Sequence, residues 1–155
     1  MDPLYYQLII LTFVVTALWD VVLRIMSENF EYLPNIIKNF LPFIGDLKPY
    51  FKIHTLLAAA LIAGFVGATT QAIILLIMSF PRNIKNISYV VKFLTLSFVI
   101  SALIGIPMKI TNLFPHLEKY YYEKLGVIKG LYHDGISGLI VQCSILFLFM
   151  VKNQI

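Results

Sequence analysis

Charged side chains are scarce in this 155-residue chain. They make up 13% of the residues, against about 25% in soluble domains, and 59% of the residues are hydrophobic. Such a chain has too little polar surface to cover a water-soluble globule, and its mean hydropathy of +0.85 agrees. We therefore predict one integral membrane domain over residues 1–155. The composition leaves open whether the membrane is cellular, organellar or viral.

Cysteine pairs and known catalytic signatures are absent from the sequence. The single cysteine, Cys143, excludes an intrachain disulfide and any metal site built from several cysteines of one chain. No glycine-rich phosphate loop, H-E-x-x-H motif, nucleophile elbow or C-x-x-C occurs. The stretch H-D-G-I-S-G at 133–138 forms no triad by itself, because neighbours on a helix point about 100 degrees apart. We expect no cofactor and no metal, and we leave enzymatic activity open with a preference against it.

A basic leader and a basic stripe are missing as well. The N-terminus M-D-P-L-Y-Y-Q has no basic residue, and no A-x-A-like site follows its first apolar run, so we expect that run to remain as a span. The net charge of +4 comes from basic residues scattered between apolar segments, which does not indicate nucleic-acid binding. It is typical of charges that flank membrane spans. The expected partner is the lipid bilayer, with a homo-oligomer or a larger membrane assembly as open alternatives.

Four segments are long and apolar enough to cross the hydrocarbon layer, which takes about 20 helical residues. They run roughly over residues 4–26, 53–80, 89–110 and 131–151. The pattern predicts an all-α protein with four transmembrane helices in an antiparallel bundle.

The first connection, residues 27–50, is interrupted by three prolines and is a poor candidate for a fifth span. Five apolar residues recur in it at helical spacing: Ile36, Ile37, Phe40, Leu41 and Ile44. We predict a short helix that lies in the membrane interface, or a lid folded over the bundle.

Two spans contain residues that affect how helices pack. The second span carries small residues at four-residue steps on two lines, Ala60, Gly64, Ala68 and Ala59, Ala63, Gly67. Such a face lets another backbone approach closely, so we expect this span at the centre of the bundle or in an oligomer contact. In the third span, Gly105 and Pro107 predict a kink or an early end.

A polar stripe runs along the first span. Thr12, Thr16, Asp20 and Arg24 follow one another at four-residue steps. An ionised residue deep in a span costs about 2.5 to 3.5 kcal/mol on insertion scales. We therefore expect Asp20 and Arg24 to pair with each other and to face protein or water.

More polar residues are predicted at the same membrane face, because an antiparallel bundle brings alternate helix ends together. His54 begins the second span, Lys109 ends the third, and His133 with Asp134 opens the fourth. A dry cluster of Asp20, Asp134 and one arginine would carry an excess negative charge. A proton, a protonated histidine, Lys109 or a bound cation can balance it.

The polar pattern continues towards the middle of the bundle. Gln142 lies two turns beyond Asp134 on the same face of the fourth span, and Gln71 supplies an amide on the second. The residues predicted to bind a ligand are Asp20, Arg24, His54, Gln71, His133, Asp134 and Gln142.

Three functions remain as hypotheses at this point. The first is a polar site or path that binds or conducts a small polar solute or a proton. The second is a non-catalytic subunit of a membrane or virion assembly, and the third is a membrane enzyme acting on a lipid-soluble substrate. The polar residues also have a structural interpretation, in which Asp20 and Arg24 pair across one turn and Asp134 caps the N-terminus of its helix.

Overall fold

The computed structural model describes residues 3–41, 44, 56–111 and 127–154, with side chains described for all of these except 105–111, 127, 129, 153 and 154. The elements of this part are α1 (Pro3–Glu28), a 3-10 turn (Phe30–Tyr32), α2 (Asn35–Phe40), α3 (Leu56–Ile77), α4 (Ile87–Thr111) and α5 (Val127–Gln154). The prediction of an all-α protein with four long apolar helices and a short helix between the first two is confirmed.

The four long helices are suited to lipid. Each contains a segment of at least 18 residues that is long and apolar enough to cross a membrane. Along α1, large apolar side chains are exposed at steps of three or four residues: Tyr6, Ile10, Val14, Leu18, Val22 and Ile25. A soluble protein rarely exposes an apolar stripe of that length. The helices are therefore those of an integral membrane protein, as predicted.

The bundle is antiparallel. Leu8, near the start of α1, belongs to the same buried cluster as Ile74 near the end of α3 and Ile145 near the end of α5. The turn between α3 and α4 is short, and the Tyr89 hydroxyl donates a hydrogen bond of 2.5 Å to the Ser79 carbonyl oxygen across it. α1 packs mainly along α3 and α4 along α5, while smaller contacts between α1 and α5 and between α3 and α4 close the ring.

The small-residue face of α3 packs against α1. A Cβ atom on Gly64 would lie 2.9 Å from the Phe13 ring, and one on Gly67 would overlap the Thr16 side chain. Glycine is needed at both positions because the neighbouring helix occupies the space of a side chain. Of the two alternatives for this face, the packing role inside the bundle is the one that these contacts support.

The contact between α4 and α5 has the same construction. A Cβ atom on Gly135 would lie 2.8 Å from the Phe98 ring, and one on Gly138 would overlap the Ser101 side chain. Both main helix pairs thus approach closely at two glycines spaced three residues apart.

The structure decides one alternative for a helix end and corrects one predicted helix limit. α4 continues through Pro107 to Thr111, so the early end, one of the two alternatives at Gly105 and Pro107, is wrong, and the kink stays a prediction. α5 begins at Val127, four residues before the predicted start, which places Asp134 at its eighth position. A helix cap lies at the first turn, so the capping interpretation of Asp134 is wrong.

Two residues just after α2 pack against one end of the bundle. Leu41 is 5% exposed and Ile44 is fully buried, and they share a cluster with Leu23 of α1 and Ile136 of α5. Ile36 on α2 is instead 82% exposed. Of the two predicted roles for this connection, the lid is the one that the burial of Leu41 and Ile44 supports.

Truncating the lid contact is expected to loosen this end of the bundle. Ile44→Ala leaves a cavity and should cost about 2 to 4 kcal/mol of unfolding free energy, measured by unfolding in mixed detergent micelles. Ile36→Ala, on an 82% exposed side chain, is the control and should change stability by less than about 0.5 kcal/mol. Equal effects of the two changes would contradict the lid.

Candidate functional site: polar residues inside the helix bundle

Asp20 lies on α1 close to the lid-covered end of the bundle. Its Oδ2 atom is buried and has no hydrogen-bond partner among the described residues. Its neighbour Trp19 packs against both apolar clusters, and the Trp19 Nε1 atom is likewise buried without a partner there. Sequence reasoning missed Trp19, although the only tryptophan of the chain stands next to the intramembrane aspartate.

Arg24 lies close to a second carboxylate in addition to Asp20. Its Nε atom lies 3.9 Å from Oε1 of Glu28, one turn further along α1. The Arg24 charge is also within coulombic range of Asp20, so a pairing of these two residues stays a prediction. Because Glu28 also lies close to the Arg24 guanidinium, the positive charge of Arg24 interacts with both carboxylates.

His133 and Asp134 lie inside α5, at the level where that helix meets α1. His133 is buried and Asp134 is partly buried. Ile136, one turn after His133, belongs to the cluster that contains Leu23 of α1. The structure thus brings the α5 segment with His133 and Asp134 to the end of α1 that carries Asp20.

Gln71 and Gln142 meet in the middle of the bundle. The Gln142 Nε2 atom donates a hydrogen bond to Gln71 Oε1, and the two side chains are 2% and 0% exposed, respectively. The bond joins α3 to α5, a pair that is not among the four helix contacts that close the ring. The Nε2 atom of Gln71 and the Oε1 atom of Gln142 are buried without a partner among the described residues.

Hydroxyl groups line the helices between these two levels. Thr12 on α1 donates a hydrogen bond of 2.6 Å to the Leu8 carbonyl, which satisfies a buried hydroxyl within its own helix. Thr16 Oγ1 and Ser137 Oγ are buried and have no partner in the described part of the chain. Ser137 is not among the residues predicted from the sequence to bind a ligand. The signal available in the sequence was a serine directly before Gly138, a glycine of the kind that lets two helices pack closely.

Two predicted residues fall outside what the structure describes. His54 lies outside the described residues, and the side chain of Lys109 is not described. Within the described ranges no group of three or more His, Cys, Asp or Glu residues is placed to hold a metal ion. The site therefore consists of carboxylate, imidazole, hydroxyl and amide groups on α1, α3 and α5.

No protein-family model, curated protein or solved structure matches this chain.

Proposed function

We propose that this protein binds or conducts a small polar solute or a proton through a polar line in the bundle, with Asp20, His133 and Asp134 at one end and the glutamine pair in the middle. The observation that carries the proposal is the glutamine pair. Both amides are buried, yet each keeps an atom that forms no hydrogen bond with the described residues.

Buried polar atoms without a hydrogen bond point to a ligand because burying them costs free energy. A buried polar group without a partner costs about 1 to 3 kcal/mol in proteins, and lipid supplies no replacement hydrogen bonds. A donor on Gln71 and an acceptor on Gln142 would be satisfied by a small molecule that can accept and donate. Water, which can pass on a proton, and small amide-like or hydroxylated solutes have this property.

The spacing of polar residues supports continuity between the two levels. Gln142 lies two helical turns from Asp134 on one face of α5, and Ser137 falls between them. On α1, Thr16 and Asp20 are one turn apart, and both have buried oxygen atoms without a partner in the described part. These groups give a transferred proton or solute successive hydrogen-bonding positions.

Neutralising the carboxylate at the end of the line tests the proposal. The protein is reconstituted in lipid vesicles, and proton flux is followed with an internal pH dye, while vesicle shrinkage and swelling report neutral solutes. Asp20→Asn is expected to lower flux at least about tenfold, equivalent to a barrier higher by about 1.4 kcal/mol.

The control is Thr69→Val, which changes an exposed residue on the lipid side of α3. It should leave the flux unchanged. Wild-type protein that passes neither protons nor solutes above empty vesicles would contradict the proposal.

A further inference from the structure

The helices α1 and α4 carry the same sequence pattern. Residues 11–18 are L-T-F-V-V-T-A-L and residues 96–103 are L-S-F-V-I-S-A-L. Five of these eight positions are identical, and the other three exchange Thr with Ser or Val with Ile. The match extends to Arg24, which corresponds to Lys109 at the same shift of 85 residues.

The helices α3 and α5 match in the same way. A shift of 71 residues superposes five identical residues of α3 on α5: Gly64, Gly67, Gln71, Ile74 and Leu75 fall on Gly135, Gly138, Gln142, Ile145 and Leu146. The chain therefore consists of two related units, unit 1 with α1 and α3 and unit 2 with α4 and α5.

The contacts repeat along with the sequence. A Cβ atom on Gly64 would lie 2.9 Å from the Phe13 ring in unit 1, and one on Gly135 would lie 2.8 Å from the corresponding Phe98 ring in unit 2. Contacts between the units repeat as well, since α1 meets α5 as α4 meets α3. The two units are thus related by a pseudo-two-fold axis that runs along the bundle.

The glutamine pair marks this axis. A residue can touch its own equivalent only close to a two-fold axis. Gln71 and Gln142 are equivalent residues and are hydrogen-bonded to each other. Further along both helices, a single buried cluster contains two more equivalent pairs, Ile74 with Ile145 and Leu75 with Leu146. The axis therefore passes through the glutamine pair, where the two units meet.

The meeting point of two repeated units is a favoured place for a ligand in a membrane protein. In transporters built from parallel repeats, which are related by an axis along the membrane normal, substrates bind near the midplane at the contact between the repeats. Gln142 lies near the middle of α5 and bonds to the other unit. The position of the glutamine pair is therefore that of a substrate site.

The two amides leave one donor and one acceptor close together. The Gln71 Nε2 atom and the Gln142 Oε1 atom have no partner among the described residues, and the two side chains are 0% and 2% exposed. The nitrogen and oxygen of one amide are about 2.2 Å apart, and a hydrogen bond spans about 3 Å. Because the two amides are bonded to each other, the remaining donor and acceptor are at most about 7.5 Å apart. One small molecule can bridge them.

The chemistry of the pair suits an uncharged molecule. An amide neither gains nor loses a proton near neutral pH, so neither glutamine can take up a proton and release it. A metal ion needs several oxygen ligands in place of its hydration shell, and within the described part of the chain the pair offers one acceptor without a partner, Gln142 Oε1. A molecule that accepts from Gln71 and donates to Gln142 satisfies both amides.

The surroundings of the pair also favour an uncharged ligand. Ile74 and Ile145, one turn further along α3 and α5, are fully buried and have no side-chain hydrogen-bonding groups. An ion beside such an apolar cluster inside a membrane is costly. The carboxylate of the proposed path is not repeated, since Asp20 corresponds to Gly105. Both units instead keep an uncharged amide at the axis.

We infer that the chain is a tandem duplication of a two-helix unit, and that the glutamine pair on its axis binds one small uncharged molecule that has both a donor and an acceptor, such as a primary amide. The inference rests on the proposed function for the path itself. It adds the class of the ligand, so that the path selects uncharged solutes over protons and metal ions.

Binding at the pair is tested by nuclear magnetic resonance of protein with isotope-labelled glutamine side chains in detergent micelles. Formamide is the probe, because it is the smallest primary amide. The side-chain amide signals of Gln71 and Gln142 are expected to shift and to saturate as formamide is added, and Gln71→Leu and Gln142→Leu proteins assign these signals. Gln7, which is exposed on α1, is the control and should show no saturation.

The same titration with sodium or potassium chloride tests the charge of the ligand. Neither salt should produce a saturating shift at Gln71 or Gln142. A saturating shift with either salt would overturn the inference. So would formamide that leaves both signals without a saturating shift.

Gln71→Glu separates uncharged solutes from protons in vesicles. The carboxylate keeps an acceptor for Gln142 Nε2 but replaces the remaining donor with an oxygen. Formamide flux is expected to fall at least about tenfold, and proton flux should rise, because a titratable group then lies in the path. Gln7→Glu makes the same chemical change at an exposed position and should leave both fluxes unchanged.

The two measurements distinguish this inference from the proposed function. Saturating formamide binding in a protein that passes nothing would contradict the proposed function and leave the inference in place. Wild-type proton flux without formamide flux or binding would overturn the inference while the proposed function stands. Gln71→Glu protein that folds, as judged by circular dichroism, and passes formamide like the wild type would also overturn it.

Discussion

Gly138→Ser is expected to destabilise the bundle by about 3 kcal/mol, near the upper end of the usual cost of overpacking. A Cβ atom at this position would overlap the side chain of Ser101 on α4. The overlapping atoms include the Ser101 Cβ, which is fixed to the α4 backbone and cannot rotate away, so relief requires α4 and α5 to separate. Because this pair is one of the two main helix contacts, separation also disturbs the clusters on both sides.

Exchanging Gly138 and Ser101 between the two helices tests where the cost of Gly138→Ser comes from. It distinguishes the direct contact with Ser101 from a general cost of a larger residue at this position of α5. In Gly138→Ser with Ser101→Gly, the small residue moves to the other helix and the close approach is kept. This double variant should recover most of the lost stability, except for about 1 kcal/mol from a glycine inside α4. Unfolding in mixed micelles, followed by circular dichroism and by the fluorescence of Trp19, measures both effects. A double variant no more stable than Gly138→Ser alone would contradict the contact.

The second large effect is expected at the hydrogen-bonded pair Gln71 and Gln142. The losses of unfolding free energy in the two single variants should not add up in the double variant. Gln71→Leu leaves the buried amide of Gln142 without its partner and should cost about 1 to 3 kcal/mol. Gln71→Leu with Gln142→Leu removes both polar groups and should be at least as stable as the single variant, because two apolar side chains need no hydrogen bond.

A double-mutant cycle with the two single variants and the double variant measures this coupling. The pseudo-two-fold axis adds a further expectation, since equivalent residues should give similar single effects. Strictly additive destabilisation would mean that the two amides do not depend on each other. It would contradict the hydrogen bond on which the central part of the site is built.

Hydropathy was sufficient to predict the helices. The four spans are long apolar runs whose lengths match the hydrocarbon layer, so their existence follows from solvent chemistry alone. The start of α5 at Val127 was missed, because the residues before Leu131 include Lys129 and Gly130 and lower the local hydropathy. That error made Asp134 look like a cap, although it lies two turns inside the helix.

Contacts between helices were harder to predict because they depend on which residues meet. Gln71 and Gln142 were both named as site residues, but nothing in either span indicated that they bond to each other. Arg24 was expected beside Asp20. Glu28 is also one turn away from Arg24, and its Oε1 atom lies 3.9 Å from the Arg24 Nε atom. Helical spacing places both carboxylates equally well, and only the side-chain conformation distinguishes them.

The internal duplication could have been found in the sequence. Residues 11–18 and 96–103 match at eight consecutive positions by identity or close similarity. The match is hidden by general hydrophobicity, since any two apolar spans share many Leu, Ile and Val residues. The equivalent glycine contacts in the structure show which of these similarities have the same role in both units.

The most direct test of the central claim is the proton and solute flux through vesicles that contain Gln71→Leu with Gln142→Leu protein. The claim is that the buried glutamine pair is part of a path and not only a link between helices. The double variant is expected to fold, because it should be at least as stable as Gln71→Leu alone, and to lose the flux that wild-type protein shows. A folded double variant with wild-type flux would contradict the claim, because the path would then bypass the pair.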